Sequence, residues 1–271
     1  KLKKDKYSYF PVLDGNTLAG TKLELGLSCY ALKIFIITNS WKDIDKKSQE
    51  SWINYINSFQ QQTKVFPKNS FIDNNYLEFI TKPSLKQRIK ELTKKILNKF
   101  THKEYVLMND KLNDFIKAET KQAISTLNEI NQENVLIYDQ FPKSKDEIND
   151  YLNSLDWTKP WNAGAQFSAL CVFVSTQISS KKERVELSSV LEEFILSIVD
   201  QETGVFYKGD KPKDNEIING AMKVITGLDW INAKIPFPDK LLNTFLKIEP
   251  LDDGCDLVDI VYVIYMCSRS T

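Results

Sequence analysis

Histidine is nearly absent from the chain: His102 alone stands among 271 residues. A zinc site built from His and Cys at close spacing is therefore excluded. A Ser–His–Asp or Cys–His triad has no base to draw on except His102. That residue sits in a polar segment beside Lys103 and Glu104 and reads as a surface residue. The four cysteines, Cys29, Cys171, Cys255 and Cys267, form neither a CxxC pair nor a short disulfide framework. Cys29 and Cys171 lie in apolar helical stretches, where a thiol behaves as a small hydrophobe. We read a reducing, cytoplasmic setting, with long-range disulfides in a secreted form as the alternative. Charge of one sign is also missing, because 36 Lys and Arg balance 36 Asp and Glu. No global field then draws the chain to nucleic acid or to an anionic membrane. No apolar run approaches the roughly 18 residues of a membrane span. The basic segment Lys1 to Phe10 is followed by no signal-peptide core.

Glycine and proline are scarce, at nine each, and fall between periodic segments rather than inside them. That is helical punctuation, and it predicts an all-α chain. The 42% apolar and 27% charged content is that of an ordinary globular protein. We take residues 1–271 as a single domain, with an N-terminal extension over 1–20 and an irregular connection over 63–82.

One short phrase recurs. Tyr55-Ile56-Asn57-Ser58-Phe59 is echoed by Ile96-Leu97-Asn98-Lys99-Phe100 and by Tyr151-Leu152-Asn153-Ser154-Leu155. It returns as Phe194-Ile195-Leu196-Ser197-Ile198 and as Leu241-Leu242-Asn243-Thr244-Phe245. The copies are 41, 55, 43 and 47 residues apart, which is the length of a helical hairpin. Between them lie helices that are apolar or small over much of their circumference: Thr21 to Asn39, Leu112 to Ile130, Asn162 to Gln177, Asn215 to Trp230 and Cys255 to Ser268. Segments such as Lys46 to Gln60, Ser84 to Phe100 and Lys181 to Val199 instead carry one apolar stripe against a Lys/Glu face. A helix apolar all round is buried and a striped one lies at the surface. Alternating the two kinds predicts an α/α toroid, complete or incomplete, of about five to six hairpins with inner and outer helix rings.

The array resembles the α/α-toroid superfamily, which includes terpenoid cyclases, protein prenyltransferase β subunits and six-hairpin glycan-active enzymes. Two hairpin ends carry the likeness: Ser58-Phe59-Gln60 running on to Phe66, and Ser197 to Asp200 running through Glu202-Thr203-Gly204 to Phe206. The first copy lacks the Gly, and the second has Val199 where Gln stands in the repeat signature. The resemblance implies a site at one mouth of the barrel. The zinc ligands of the prenyltransferases, Asp, Cys and His, have no counterpart set on any helix here.

Four clusters carry chemistry. Asp252-Asp253-Gly254-Cys255-Asp256 is similar to the aspartate-rich signature that holds Mg²⁺ and diphosphate in isoprenoid synthases. Its other reading is a set of helix caps. Asp256 and Asp259 lie one turn apart on an otherwise apolar helix and would need partners or a wet cavity if buried. Asp156, Trp157, Trp161 and Asn162 gather at the entry to the slenderest inner helix, as ring platforms and a carboxylate for a sugar or as a cap and end-plugs. Glu202, Phe206 and Tyr207 precede a helix whose Asn215, Glu216, Asn219 and Lys223 fall largely on one face. Glu119, Thr120 and Gln122 make a polar patch midway along another inner helix.

The expected function is a glycan-active hydrolase or lyase. Its acid–base groups would be drawn from Asp156, Glu216 and Asp256, and its substrate contacts from Trp157, Trp161, Asn162, Glu202, Phe206, Tyr207, Asn215, Asn219, Lys223 and Asp253. The expected ligand is a small molecule or oligosaccharide, with neither nucleic acid nor membrane as partner and no metal or cofactor. The alternatives are an isoprenoid-handling protein, with Mg²⁺ and diphosphate near Asp253, and a non-catalytic scaffold.

Overall fold

The computed structural model describes residues 2–15, 17–18, 20–62, 66–81, 85–101, 105, 107–250 and 255–270. It is mostly helical, with eleven α-helices and one two-stranded hairpin among the described residues. Two compact units divide the chain, Lys1–Gln140 and Phe141–Thr271.

The first unit contains α1 (Leu25–Ile37), α2 (Lys46–Asn57), the strands β1 (Gln60–Gln61) and β2 (Ser70–Phe71), then α3 (Asn74–Thr81), α4 (Leu85–Phe100) and α5 (Met108–Glu129). The stretch read as irregular over 63–82 thus includes β2 and α3. Helices α1 and α5 pack side by side and run parallel, because Gly26 meets Glu119 while Lys33 meets Ser125 and pairs with Glu129. Strand β2 is tied to α5 by the Phe71 N–H, which donates to Thr120 Oγ1 at 3.0 Å.

The second unit contains α6 (Lys145–Ser154), α7 (Pro160–Gln177), α8 (Lys181–Ile198), α9 (Asp214–Trp230), α10 (Pro238–Phe245) and α11 (Asp256–Ser268). Here α7 is buried along most of its length, from Ala163 to Val174. By contrast α8 buries one stripe, Leu187, Val190, Leu191, Phe194, Ile195 and Ile198, at the i, i+3, i+4, i+7 spacing of a half-covered helix. Helices α7 and α9 run parallel in close contact. Pro160 and Gly164 meet Gly220, Phe167 and Ser168 meet Gly227, and Ser175 Oγ donates to the Trp230 carbonyl at 2.8 Å. Helix α11 runs parallel to α9, with Asp256 bonded to Asn219 and Tyr262 beside Thr226. Side-chain-free packing at Gly164, Gly220 and Gly227 lets the α7 and α9 backbones approach this closely.

The recurring phrase marks the ends of α2, α4, α6, α8 and α10. In three copies its second residue is a core residue, Ile56, Leu152 and Ile195 being fully buried, while in the last copy the first residue, Leu241, is the buried one of the two. Three of its Asn residues bind a nearby loop: Asn57 accepts from the Val135 N–H, Asn98 from the Tyr105 N–H and Asn153 from Lys208 Nζ. Its Ser turns back on the helix, where Ser58, Ser154 and Ser197 donate to the carbonyls of Tyr55, Tyr151 and Phe194 at 2.6–2.7 Å. The phrase is a helix stop.

Three surface helices, α2, α6 and α8, start with side-chain caps. Asp45 accepts from the Ser48 N–H, Ser180 from the Glu183 N–H, and Ser144 forms a reciprocal capping box with Glu147. Replacing Ser144 by Ala is expected to cost about 1 kcal/mol. A urea midpoint unchanged in Ser144→Ala would show that this cap contributes nothing.

Two helices depart from the sequence reading. Apolar circumference predicted full burial for α1 and α11. Instead Ile34 and Ile37 on α1, and Leu257, Val258, Val261 and Tyr265 on α11, are each more than half exposed. Hydrophobicity reports what a surface prefers, and among the described residues of either unit no element lies over these faces.

Candidate functional site

The N-terminal turns of α7, α9 and α11 come together within the second unit. Helix α7 begins at Pro160, whose missing N–H costs nothing in the first turn, and it has no side-chain cap of its own. The carboxylate of Glu216 on α9 takes that role, accepting from the Trp161 N–H at 3.0 Å. One turn further along α9, Asn219 is 1% exposed. Its Nδ2 donates to the Asn215 carbonyl at 2.7 Å and to Asp256 Oδ1 at 2.9 Å.

Asp256 and Asp259 are both buried at 4% exposure, and among the described residues the Oδ2 atom of each has no hydrogen-bond partner. An unpartnered buried carboxylate oxygen is costly, so each such atom calls for a proton or a ligand donor. Desolvation pushes the Asp259 carboxyl up to about 6; the Lys223 charge opposes this and the Asp256 charge adds to it. A carboxyl titrating near 6 exchanges its proton close to neutral pH, as a general acid or base must.

The sequence candidates separate into two groups. Trp161, Asn215, Glu216, Asn219, Lys223 and Asp256 belong to this cluster, with Trp161 40% exposed and Glu216 half-buried on its open side. Asn162 is exposed beside Trp161. Asp259 was visible in the sequence through its i, i+3 spacing from Asp256, but it was not among the proposed site residues. The second group lies around the loop after α8. Asp200 accepts from the N–H groups of Glu202 and Thr203, Gly204 takes φ +76°, and Phe206 pairs with Val199. The Lys208 N–H donates to the Trp157 carbonyl at 3.3 Å, which joins this loop to the entry of α7.

Three expectations need correction. Trp157 is a core residue at 2% exposure, packed 5.5 Å from the Phe194 ring with its Nε1 donating to the Leu152 carbonyl at 2.9 Å, so it offers no free face. Phe206 is buried too, at 2% exposure. Asp156 closes its own turn, accepting from Thr158 Oγ1 and Lys159 Nζ at 2.6 Å each. The bonds from Lys159 and Thr158 hold its carboxyl below the usual range, the opposite of what a general acid needs. Glu202 is exposed, and the half-buried Tyr207 reaches back toward Asp200 rather than toward Glu216. Asp252, Asp253 and His102 lie outside the described residues.

The first unit has its own carboxylate pair at the start of α1. Asp73, 3% exposed, accepts from the N–H groups of Glu24 at 2.7 Å and Leu25 at 3.2 Å, a cap supplied from outside the helix. Glu119 lies against Gly26, where an added Cβ would stand 3.1 Å from its Oε1. Desolvation, with the Asp73 charge second, pushes the Glu119 carboxyl up to about 7. Asp73 was missed because it falls in the stretch without periodicity.

Among the described residues no group of three His, Cys, Asp or Glu side chains is placed to hold a metal ion, and no helix is long and apolar enough to cross a membrane. Comparison of the chain with protein families, with curated proteins and with solved structures finds no match.

Proposed function

We propose that the protein is a glycan-active enzyme, a hydrolase or lyase, with its acid–base machinery in the second unit. Support comes from one observation above all: two buried carboxyl groups, Asp256 and Asp259, each with an oxygen unpartnered among the described residues, lie near Asn219 and Lys223. In this reading Asp259 supplies the proton, and the Asp256 charge helps hold that proton on it. Glu216 is the second carboxylate on the open side, and Trp161 supplies the ring against which a sugar stacks. Parallel inner helices alternating with surface helices agree with an α/α-toroid relative, and we extend the resemblance to the fold on that ground.

The test is a panel of oligosaccharides, including uronic-acid sugars, assayed with wild type, Glu216→Gln and Trp161→Ala. Glu216→Gln is expected to lower kcat on a cleaved glycan by about 10²-fold, and Trp161→Ala to raise KM with a smaller change in kcat. Full activity of both variants on every cleaved glycan would remove these residues from the machinery, and absence of cleavage across the panel would remove the enzyme reading.

A second reading is a non-catalytic binding module. The exposed apolar face of α11, Leu257, Val258, Val261 and Tyr265, favours it, since a contiguous apolar patch marks a surface for a partner. The isoprenoid alternative rests on Asp252 and Asp253, which lie outside the described residues.

A further inference from the structure

The opposite ends of α9 and α11 enclose a cavity of about 450 Å³. Its volume is that of a small-molecule pocket. Ile225, Ile235, Pro238 and Met266 give it an apolar wall, and Asp229 and Lys234 bring one charge of each sign to it. Among the described residues neither charge is taken up by an ion pair. The C-terminal ends of two parallel helices add partial negative charge on the Asp229 side. The connection from α9 to α10, which carries Ile235, is held in an unusual backbone. Asn232 ends α9 at φ 54°, and Phe237 stands at φ 47°, in the left-handed region that a bulky side chain avoids.

We infer that this cavity binds a zwitterionic amphiphile of amino-acid or dipeptide size. Its ammonium group pairs with Asp229, its carboxylate with Lys234, and its apolar side chain lies against Ile225, Ile235 and Met266. A cation without a carboxylate leaves Lys234 unanswered, and a fatty acid leaves Asp229 facing like charge. A purely apolar ligand leaves both charges unmatched at the rim. None of these groups belongs to the Asp256–Asp259 cluster, so the site stands independently of the glycan reading.

The chain has three methionines, Met108, Met222 and Met266, which makes methyl NMR a local probe. The intact protein with ¹³C-methyl methionine would be titrated with L-leucine, L-phenylalanine and the dipeptide Leu–Phe, the Met266 signal being assigned from Met266→Leu. A saturable shift of that signal is expected with at least one of them. Asp229→Asn and Lys234→Gln, both at exposed positions, are each expected to weaken it about tenfold. N-acetyl-leucine and leucinamide should lose affinity on wild type in the same way. No shift of Met266 with any of the three up to about 20 mM would overturn the proposal, since affinity weaker than that is not specific recognition. So would a shift that either substitution leaves unchanged.

Discussion

Gly220→Ala is expected to lower the stability of the chain by about 3 kcal/mol, at the upper end of what one added methyl costs in a packed interior. A Cβ at this position would stand 2.6 Å from Pro160 Cβ and 2.8 Å from the Pro160 carbonyl carbon. Proline has no flexible end to swing aside, and its neighbour is backbone, so relief requires α7 and α9 to separate. Separation would also uncover the apolar surface between Phe167 and Gly227 and stretch the bond from the Trp161 N–H to Glu216. Gly227→Ala meets the Phe167 ring at 2.7 Å, which a ring rotation partly relieves, and Gly164→Ala meets nothing nearer than 3.0 Å. The expected order of damage is therefore Gly220, then Gly227, then Gly164. Urea unfolding of the three variants checks it, and a Gly220→Ala protein within about 0.5 kcal/mol of wild type would mean that the two helices are not this close.

Asp259→Asn is expected to stabilise the protein at pH 8 and to abolish any glycan cleavage. The sign follows from linkage. The folded protein binds the Asp259 proton more tightly than the unfolded chain does, since burial raises its carboxyl from 3.8 to about 6. Stability from this group is fully present below about pH 4 and is lost as pH rises through about 6. The loss is on the order of 3 kcal/mol, the net of desolvation, the opposing Lys223 charge and the Asp256 charge. Asn cannot ionise, so the variant escapes the loss and should match wild type near pH 4 while exceeding it at pH 8. Glu119, raised to about 7 in the first unit, contributes a decline of the same sign. Some fall in stability between pH 4 and 8 will thus remain in Asp259→Asn. Denaturation of both proteins across this range decides the matter: a variant less stable than wild type at pH 8 would show that the Asp259 carboxylate is welcome where it is. Stability gained at the expense of activity is what a strained acid–base residue predicts.

Much of the helical order was legible because it rests on periodicity and punctuation. The phrase beginning at Tyr55, Ile96, Tyr151, Phe194 and Leu241 was readable as a repeat before its physical meaning was known. Its positions share the labour of ending a helix, and no single position keeps its role in every copy. The slenderness of α7 was readable too, and Gly164 within it lies against the Gly220 carbonyl oxygen as close packing requires. Orientation within the candidate site was another matter. Trp157 and Trp161 are four residues apart in one cluster, yet one plugs the core and the other faces water. The difference comes from Phe194 and Leu152, which lie 37 residues after and five before Trp157 and claim its ring and its N–H. Asp156 looked like an acid by company, and its own turn at Thr158 and Lys159 decided otherwise. Residue type and spacing name the candidates, while the choice among them is made by side-chain contacts, some within one turn and some far along the chain.

The parallel seam between α7 and α9 has a kinetic consequence. These two helices are not consecutive, since α8 lies between them in the chain. The contact from Gly164 to Gly220 closes a long loop, whose entropy must be lost before the close packing returns anything. Each hairpin on its own is local and inexpensive to close. On this ground the seam is expected to close later in folding than contacts between helices adjacent in the chain.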